Sequence, residues 1–411
     1  MPSFSNMGSN SPRFSYALSA DAPLCERSLW GLDPQTVFLN HGSYGATPKK
    51  VLQAQSAWRE RLEAQPVQFM GEELPRALRA AAAELAHFVG AEPENLVFVE
   101  NATSGVNAVL RSLRFRPGDQ IACTNHGYGA VRQALQYVYA QWGAIPVEAQ
   151  IPFPIAGPEQ VIAAFETILT PQTRLAVLDH LTSPTALIYP LPELIGLCRE
   201  RGIPVLVDGA HAPGVLPLEL ERLGADWYTG NAHKWLFAPK GCAFLWVAPH
   251  RQAQTHPTVI SHGFGQGFTA EFDWVGTRDP SAWLAVSAAL AFIQELGLDN
   301  IRQHNHTLLL QARQLLLDTL GGIPPAPEEM LGFMATLPLP PFWQQWIPEL
   351  PLGERARRLH DCLWHRYRIE VPIIPFAGQL WVRISAQVYN HWAEYEQLAL
   401  ALQRPPQSFP G

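Results

Sequence analysis

The chain has 411 residues, of which 47% are hydrophobic and 16% are charged, and its formal net charge is −7. This length gives room for two or three domains, and this composition is ordinary for a folded globular protein. An acidic chain without a cluster of Lys and Arg is a poor candidate for binding nucleic acid or an anionic membrane.

The cysteines and the N-terminal sequence indicate a cytoplasmic protein. The five cysteines are Cys25, Cys123, Cys198, Cys242 and Cys362. They form no CxxC pair and have no His neighbours at zinc spacing, so we expect reduced thiols and no metal site. The polar N-terminus predicts no secretory signal, and the absence of about 18 consecutive apolar residues predicts no transmembrane helix.

The order of the expected elements predicts an α/β fold. Residues 1–22 are rich in Ser, Asn and Pro, which is typical of a flexible segment, and residues 49–90 repeat apolar positions at helical spacing. From about residue 92 to 250, short apolar runs alternate with helical stretches. This rhythm predicts βαβ units, a mostly parallel sheet and helices on both of its faces.

The C-terminal part predicts a smaller α+β domain. Residues 281–319 read as one or two long helices, and a helix, a pair of strands and a final helix follow. We therefore divide the chain into a flexible segment (1–22), an N-terminal segment (23–48), a large α/β/α domain (49–280), and connecting helices with the small domain (281–411).

Two residues at the ends of expected strands could carry chemistry. Lys234 follows the run ADWYTG and lies among aromatic and small residues, where desolvation would lower its pKa and free a nucleophilic amine. Asp208 follows IPVLV, at the edge where open α/β sheets bind ligands, and could keep a pyridinium nitrogen protonated. The alternatives are a surface lysine, and an aspartate that caps a helix or contacts a metal or a ribose.

Two further features suggest sites for anions. NATSG at 101–105 joins a strand to a helix, and the backbone N–H groups there, with the Thr103 and Ser104 hydroxyls, suit a phosphate. Plain helix capping is the alternative. Arg383 interrupts the apolar run LWVRIS, and its guanidinium matches a substrate carboxylate or, alternatively, a salt bridge with Glu370.

The order of these four features resembles that of fold-type I pyridoxal-phosphate (PLP) enzymes. DGAHAPG and GNAHKW resemble the class V aminotransferase family, in particular its isopenicillin N epimerase-like branch. LNHGSYGATP, NATSGVNAVL, NHGYGAV, VGTRDPSAW and RISAQVYN are similar to the same branch, so the resemblance covers most of residues 35–400. One departure is Ala186, where the family often has Gly.

The resemblance implies a large PLP-binding domain and a role for each matching residue. Lys234 would form the Schiff base with the cofactor, Asp208 would pair with the ring nitrogen, and His211 would lie near the ring oxygen or support Asp208. Further cofactor contacts would come from Tyr128 on the ring, Thr182 at the ring oxygen, and Ala102, Thr103, Asn231 and His233 around the phosphate. Tyr128 could instead be ordinary packing, and His211 and His233 could be structural histidines.

The resemblance also implies a homodimer and a binding site for a small amino acid. Thr277, in the loop GTRDP, would contact the phosphate of the partner subunit. Arg383 would hold the substrate carboxylate, and the segment 23–48 would line the substrate side. Its lining residues would be Asn40, His41 and Tyr44, and His41 and Tyr44 could supply a second base.

The implied reaction begins with removal of the substrate α-proton by the freed lysine. The branch favours an epimerase or racemase, while a carbon–sulfur lyase or an aminotransferase stays open. Residues 367–385 contain no cysteine, so a persulfide-forming desulfurase is not expected. A catalytically idle PLP-fold binding module and a Rossmann dehydrogenase are the alternatives of other kinds. The set Asp208, His211, Lys234 and Arg383 argues against the former, and the lack of G-x-G-x-x-G after the first strand against the latter.

Overall fold

The computed structural model describes residues 23–403. The segment 1–22, which we predict to be flexible, lies outside the described residues, as do residues 404–411. The strands are β1 (Val37–Phe38), β2 (Leu96–Val99), β3 (Gln120–Thr124), β4 (Ile145–Ala149), β5 (Thr173–Asp179), β6 (Val205–Asp208), β7 (Trp227–Asn231), β8 (Ala243–Val247), β9 (Met334–Pro338), β10 (Ile369–Glu370), β11 (Ile373–Phe376) and β12 (Gln379–Ser385).

Most helices lie between these strands, and several are short. They are α1 (His41–Tyr44), α2 (Lys49–Ala64), α3 (Pro66–Gln68), α4 (Leu74–Phe88), α5 (Ala102–Ser112), α6 (Gly129–Trp142), α7 (Pro158–Glu166), α8 (Leu191–Glu200), α9 (Leu220–Leu223), α10 (Pro249–Gln252), α11 (Phe268–Asp273), α12 (Ser281–Leu284), α13 (Val286–Leu296), α14 (Leu298–Leu320), α15 (Pro341–Gln344), α16 (Leu352–Tyr367) and α17 (Trp392–Leu402).

The large sheet has seven strands in the order β2-β8-β7-β6-β5-β3-β4. Strands β3 to β7 pair in parallel, and β8 is antiparallel to both β7 and β2. The α/β prediction with a mostly parallel sheet is therefore confirmed. Strand β8 is antiparallel because of the way it is connected to β7. Residues 232–242 join the two strands without a crossover helix, and a parallel pair would need such a crossover.

Both faces of the large sheet are covered, which explains why its strands are apolar runs rather than alternating ones. Within β6, Val205 and Val207 belong to one buried hydrophobic cluster and Leu206 belongs to another. Side chains of a strand alternate between its two faces, so these clusters are the cores on either side of the sheet.

The small sheet has the antiparallel order β11-β12-β9, and helices α14 and α16 pack on it. A short parallel pair, β1 with β10, ties the N-terminal segment to this part of the molecule. Strand β9 was not predicted from the sequence, because it has only five residues and a group of prolines that disfavours a strand begins at Pro338. The domain boundaries proposed from the sequence stay a prediction.

The long helical stretch after residue 280 contains three helices instead of one or two. Breaks at Ala285 and Gly297 separate α12, α13 and α14, and Gly297 has a φ of 80° that ends the regular helix. Within residues 23–403, no single helix is long and apolar enough to cross a membrane. Only Ser281–Leu296 together with Leu298–Leu320 would qualify by length and composition, and these two stretches are bent by 74°.

Candidate active site

A cavity of ≈590 Å³ lies where the carboxyl ends of β5, β6 and β7 meet the start of α5. The turn α1 and the residues just after β5 complete its wall. Strand ends of an open α/β sheet are the usual place for a ligand, and this volume suits a small cofactor with its substrate.

Lys234 supplies a buried amine to this cavity. It lies in the connection between β7 and β8 and is 8% exposed. Its Nζ lies 3.0 Å from Nε2 of His211. Burial lowers the pKa of the Lys234 amine to about 7; the charge of Arg383 acts in the same direction, and Asp208 opposes it. A substantial fraction of the amine is therefore unprotonated at neutral pH.

His211 is neutral and has one unsatisfied nitrogen. Burial, followed by the charge of Lys234, lowers the pKa of its imidazole well below the ordinary value. Its Nδ1 is buried and has no hydrogen-bond partner among residues 23–403. A buried polar atom without a partner costs about 1–3 kcal/mol, so this atom at the cavity wall indicates a place for a ligand group.

Two carboxyl groups end neighbouring parallel strands at the cavity. Asp179 on β5 and Asp208 on β6 are paired in register, and both line the cavity. Burial raises the pKa of both groups, and that of Asp179 is raised further by the charge of Asp208. Asp179 is not among the residues predicted from the sequence, although it ends an apolar run just as Asp208 does.

The residues expected around a phosphate lie together at the start of α5 and the end of β7. The helix begins at Ala102. The Ala102 N–H donates to Oδ1 of Asn231 at 2.9 Å, so this amide is engaged within the protein. Thr103, Asn231 and His233 also line the cavity.

A backbone carbonyl fixes the ring of His233. Its Nδ1 bonds the carbonyl of Cys242 at 3.1 Å, and since a carbonyl only accepts, Nδ1 carries the proton. Burial lowers the pKa of His233 to about 4, so the ring is neutral at pH 7.

Arg383 lies on β12, is 4% exposed, and contacts the cavity-lining residues Ser43 and Ser183 without lining the cavity itself. Its Nη1 donates to the carbonyl and the hydroxyl of Ser183, and Nη2 donates to Oγ of Ser43 at 3.3 Å. Within residues 23–403 no carboxylate lies within 4.0 Å of this guanidinium, and Glu370 bonds Asn40 and His360 instead. Burial lowers the pKa of Arg383 to about 10, so the side chain stays cationic without a counter-ion.

The expected substrate-side residues separate into three environments. Tyr44 lines the cavity mouth and is 74% exposed. Asn40 points to Glu370 and does not line the cavity. His41 is fully buried behind Lys234, so the expectation that it lines the substrate side, or acts there as a base, is wrong. Ser43, which the sequence analysis did not single out, lines the cavity instead.

Three other expected cofactor residues differ in their access to the cavity. Tyr128 caps the start of α6 and lines the cavity. Thr182 does not reach the cavity, because its buried hydroxyl bonds Thr185 and accepts the N–H of Leu187 at 2.8 Å. The cavity-lining residue of that loop is Ser183. Thr277 is exposed outside the cavity, and its contact with a partner subunit stays a prediction.

Ala186, where the family often has Gly, adopts a backbone conformation that glycine favours. Its φ of 59° is left-handed, which costs a residue with a Cβ about 1–2 kcal/mol. The hydrogen bonds of Thr182 with Ala186 and Leu187 hold the loop in this shape.

None of the five cysteines lines this cavity. All five are free, and Cys362 is buried in α16. Burial raises the pKa of the Cys362 thiol, which disfavours the nucleophilic thiolate.

The donor set fits PLP. Lys234 would hold the cofactor aldehyde, Asp208 would face the ring nitrogen, and the start of α5 would face the phosphate. The unsatisfied Nδ1 of His211 gives a further polar atom that a bound group would satisfy. The fold and this cavity together define a fold-type I PLP enzyme.

Comparisons with known proteins agree with this class. Residues 37–326 match the family described as aminotransferase class-V. The chain is 35% identical over 389 residues to isopenicillin N epimerase of Streptomyces clavuligerus, which covers 90% of this chain and 95% of the relative. It is 33% identical over 401 residues to putative L-cysteine desulfhydrase 1 of Oryza sativa subsp. japonica, with 89% and 82% covered.

Solved structures support the fold. An apo cysteine desulfurase from Thermococcus onnurineus NA1 is similar with a TM-score of 0.75 and 20% identity, over 92% of this chain and 96% of that one. The cystine C–S lyase C-DES, in complex with its product cysteine persulfide, is similar with a TM-score of 0.72 and 23% identity, over 90% and 98%. The chain belongs to the class V aminotransferase family and is a PLP-dependent enzyme, so the idle-module and dehydrogenase alternatives lose their support.

Proposed function

We propose that this enzyme binds a small α-amino acid and removes its α-proton, with Lys234 as the base. One observation carries the proposal: the Lys234 amine, whose pKa is lowered to about 7, lies 3.0 Å from His211 in the cavity that Asp208 also lines. A base with a pKa near the working pH is well matched to proton transfer.

Each group has a physical task in this proposal. PLP, when bound, supplies an electron sink for the charge left at Cα. Asp208 favours a positive charge at the ring nitrogen, and Arg383, which lacks a carboxylate partner within the described residues, attracts the substrate carboxylate. Neutral His211 accepts a hydrogen bond from the Lys234 ammonium once the proton has been taken.

For the fate of the proton, we propose return to Cα with inverted configuration, as an epimerase or racemase would do. The likeness to isopenicillin N epimerases supports this outcome. The hydroxyls of Tyr44 and Tyr128 at the cavity could supply the second proton donor that inversion requires.

A carbon–sulfur lyase is the second candidate. L-Cysteine desulfhydrases are among the similar proteins, at 33% identity. The pair Lys234–His211 alone would suffice for it, since a thiol has a pKa near 8.5 and leaves without a strong acid beside it.

Incubation of the PLP-loaded protein with a panel of amino acids in deuterated water tests the shared step. We expect deuterium at Cα, its loss in Lys234→Ala, and its retention in the control Lys240→Ala, since Lys240 lies outside the cavity lining. Absence of exchange with every amino acid, while the cofactor is bound, would contradict the proposal.

Product analysis on the same panel then identifies the reaction. Inverted configuration indicates an epimerase, and pyruvate with sulfide from cysteine indicates a lyase. An oxo acid formed only with an acceptor indicates an aminotransferase.

We also propose a homodimer in which Thr277 reaches the phosphate site of the partner subunit. Thr277 is exposed, and so are the large apolar side chains of Val259, Ile260 and Phe264, which follow the cavity-lining Thr258 along the chain. Sedimentation analysis is expected to find a dimer, and a monomer at all concentrations would contradict this.

A further inference from the structure

We propose that residues 40–45, here named the clasp, position Lys234 and Arg383 relative to each other from one short turn. The clasp contains α1 and sends one side chain to each of these two residues. The inference rests on the proposed function, in which Arg383 binds the substrate carboxylate. Its two arms, His41 and Ser43, act through Lys234 and Arg383, so they are positioning residues and not catalytic ones.

The first arm of the clasp is His41, which holds the backbone of Lys234. Its Nε2 lies 3.0 Å from the carbonyl oxygen of Lys234, and its Nδ1 lies 2.8 Å from the hydroxyl of Tyr389. Because a carbonyl only accepts, Nε2 carries the proton and Nδ1 accepts from Tyr389. Burial lowers the pKa of His41 to about 3, so the ring keeps this single tautomer at neutral pH.

Gly45 lets the clasp approach the lysine closely. Its φ is 71°, in the left-handed region, and a Cβ there would collide with the carbonyl oxygen of His233 and lie 3.0 Å from Cα of Lys234. Any side chain at position 45 would therefore push the clasp away from the lysine.

The second arm is Ser43, which contacts Arg383. Its Oγ donates to Oδ1 of Asn40 at 2.5 Å, so its lone pairs are free to accept from Nη2 of Arg383 at 3.3 Å. Asn40 in turn donates to Oε1 of Glu370 at 2.8 Å. Arg383 is thus linked to Glu370 through two neutral side chains, and its charge is not neutralised by a direct ion pair.

The clasp is fixed to the strand that carries Arg383. Oγ of Ser385, two residues further along β12, accepts the N–H of His41 at 2.8 Å and donates to the carbonyl of Leu39 at 2.8 Å. The adjoining residues Val37 and Phe38 pair with β10. The clasp therefore follows the small sheet while it touches the lysine at the end of the large sheet.

The two arms predict different defects. Ser43→Ala and Asn40→Ala should weaken binding of propanoate, a carboxylate without an amine, to the PLP-loaded enzyme by about tenfold, as loss of a hydrogen bond to a charged group does. The same variants should raise KM with little change in kcat. Ser112→Ala, which removes a hydroxyl bonded to the backbone away from the cavity, is the matched control.

The absorbance of the bound cofactor tests the contact between His41 and Lys234. His41→Phe should shift the pH dependence of the visible absorbance of bound PLP, because the Lys234 backbone loses its donor. His41→Gln, whose amide can still donate to that carbonyl, should restore most of the wild-type profile. Propanoate affinity should change less than in Ser43→Ala.

Three results would overturn the inference. These are unchanged propanoate affinity in Ser43→Ala, an unchanged absorbance profile in His41→Phe, or a uniform loss of both properties that parallels a loss of thermal stability. Arg383→Lys separates this failure from failure of the proposed function. If Arg383→Lys leaves propanoate binding unchanged, the proposed role of Arg383 is wrong. If Arg383→Lys weakens propanoate binding and Ser43→Ala does not, the role of Arg383 stands and only the proposed role of the clasp is wrong.

Discussion

The two ends of the cavity are built in different ways. The end where we propose that PLP binds, here named the cofactor end, is lined by Asp179, Asp208 and Lys234. These residues lie at or just after the ends of three neighbouring strands of one sheet. The end where we propose that the substrate carboxylate binds, here named the substrate end, is lined by Ser43 from an N-terminal turn. Arg383 comes from a second sheet, 340 positions later in sequence, and bonds Ser43 without lining the cavity itself. The cofactor end is therefore set by the topology of one sheet, while the substrate end depends on how two parts of the fold meet.

The ends also carry opposite charge preferences. Asp179 and Asp208 place two carboxyl groups at the cofactor end, where a positive ring nitrogen would be stabilised. At the substrate end, Arg383 is a buried cation whose partners are serine oxygens. A ligand that is positive at one end and negative at the other matches this arrangement, so mutations at the two ends should produce separable defects.

Asp208→Asn should have the largest effect and should affect the cofactor end alone. Loss of one preorganised electrostatic contact lowers turnover on the order of 10²–10³-fold. We expect a drop of this size in the rate of Cα deuterium exchange, with propanoate affinity almost unchanged. An unchanged exchange rate with the cofactor bound would show that Asp208 does not support the ring.

Arg383→Lys should affect the substrate end instead. Loss of a charge-assisted, bidentate contact costs about 2–3 kcal/mol, which corresponds to an increase in KM of ~30-fold or more. Steady-state kinetics should show kcat changed by much less than KM. A fall in kcat at constant KM would mean that the two ends are not separable.

Asp179→Asn should change how the stability of the fold depends on pH. Burial raises the pKa of Asp179, and a carboxyl group with a raised folded pKa stabilises the fold at acidic pH. This contribution is lost as the pH rises from the unfolded pKa near 4 through the folded pKa, at about 1.4 kcal/mol for each pH unit between these two pKa values.

The cofactor-free wild type should thus lose more stability than Asp179→Asn between about pH 5 and about pH 8. Urea unfolding at both pH values measures this, with the exposed Asp318→Asn as control. Equal losses of stability in wild type and Asp179→Asn would show that burial does not raise the pKa of Asp179.

Cys362→Ala should have the smallest effect, because no thiol takes part at either end. Cys362 is buried in α16 with a raised thiol pKa, so activity on any substrate should stay within about twofold. Mass spectrometry after incubation with cysteine should find no persulfide on this residue. A persulfide there would revive the desulfurase reaction that the sequence argues against.

The sequence predicted the cofactor end better than the substrate end, for a structural reason. An acidic or basic residue after an apolar run marks a strand end, and parallel strand ends share one edge. The sequence therefore placed Asp208 and Lys234 at this edge, and it could have placed Asp179 there too. Which residues of a turn face a cavity depends on its backbone path, which is why Ser43 was missed and His41 was placed on the wrong side. For the same reason, Thr182 was predicted to face the cavity, whereas its neighbour Ser183 lines it.

We propose that the Lys234 amine holds the cofactor beside the carboxyl group of Asp208. Borohydride reduction of the PLP-loaded enzyme fixes the cofactor to the amine that carries it, and peptide mapping by mass spectrometry then identifies that amine. We expect a single modified lysine, Lys234, and no such label in Lys234→Ala. Modification of Lys240 or another lysine in its place would contradict it.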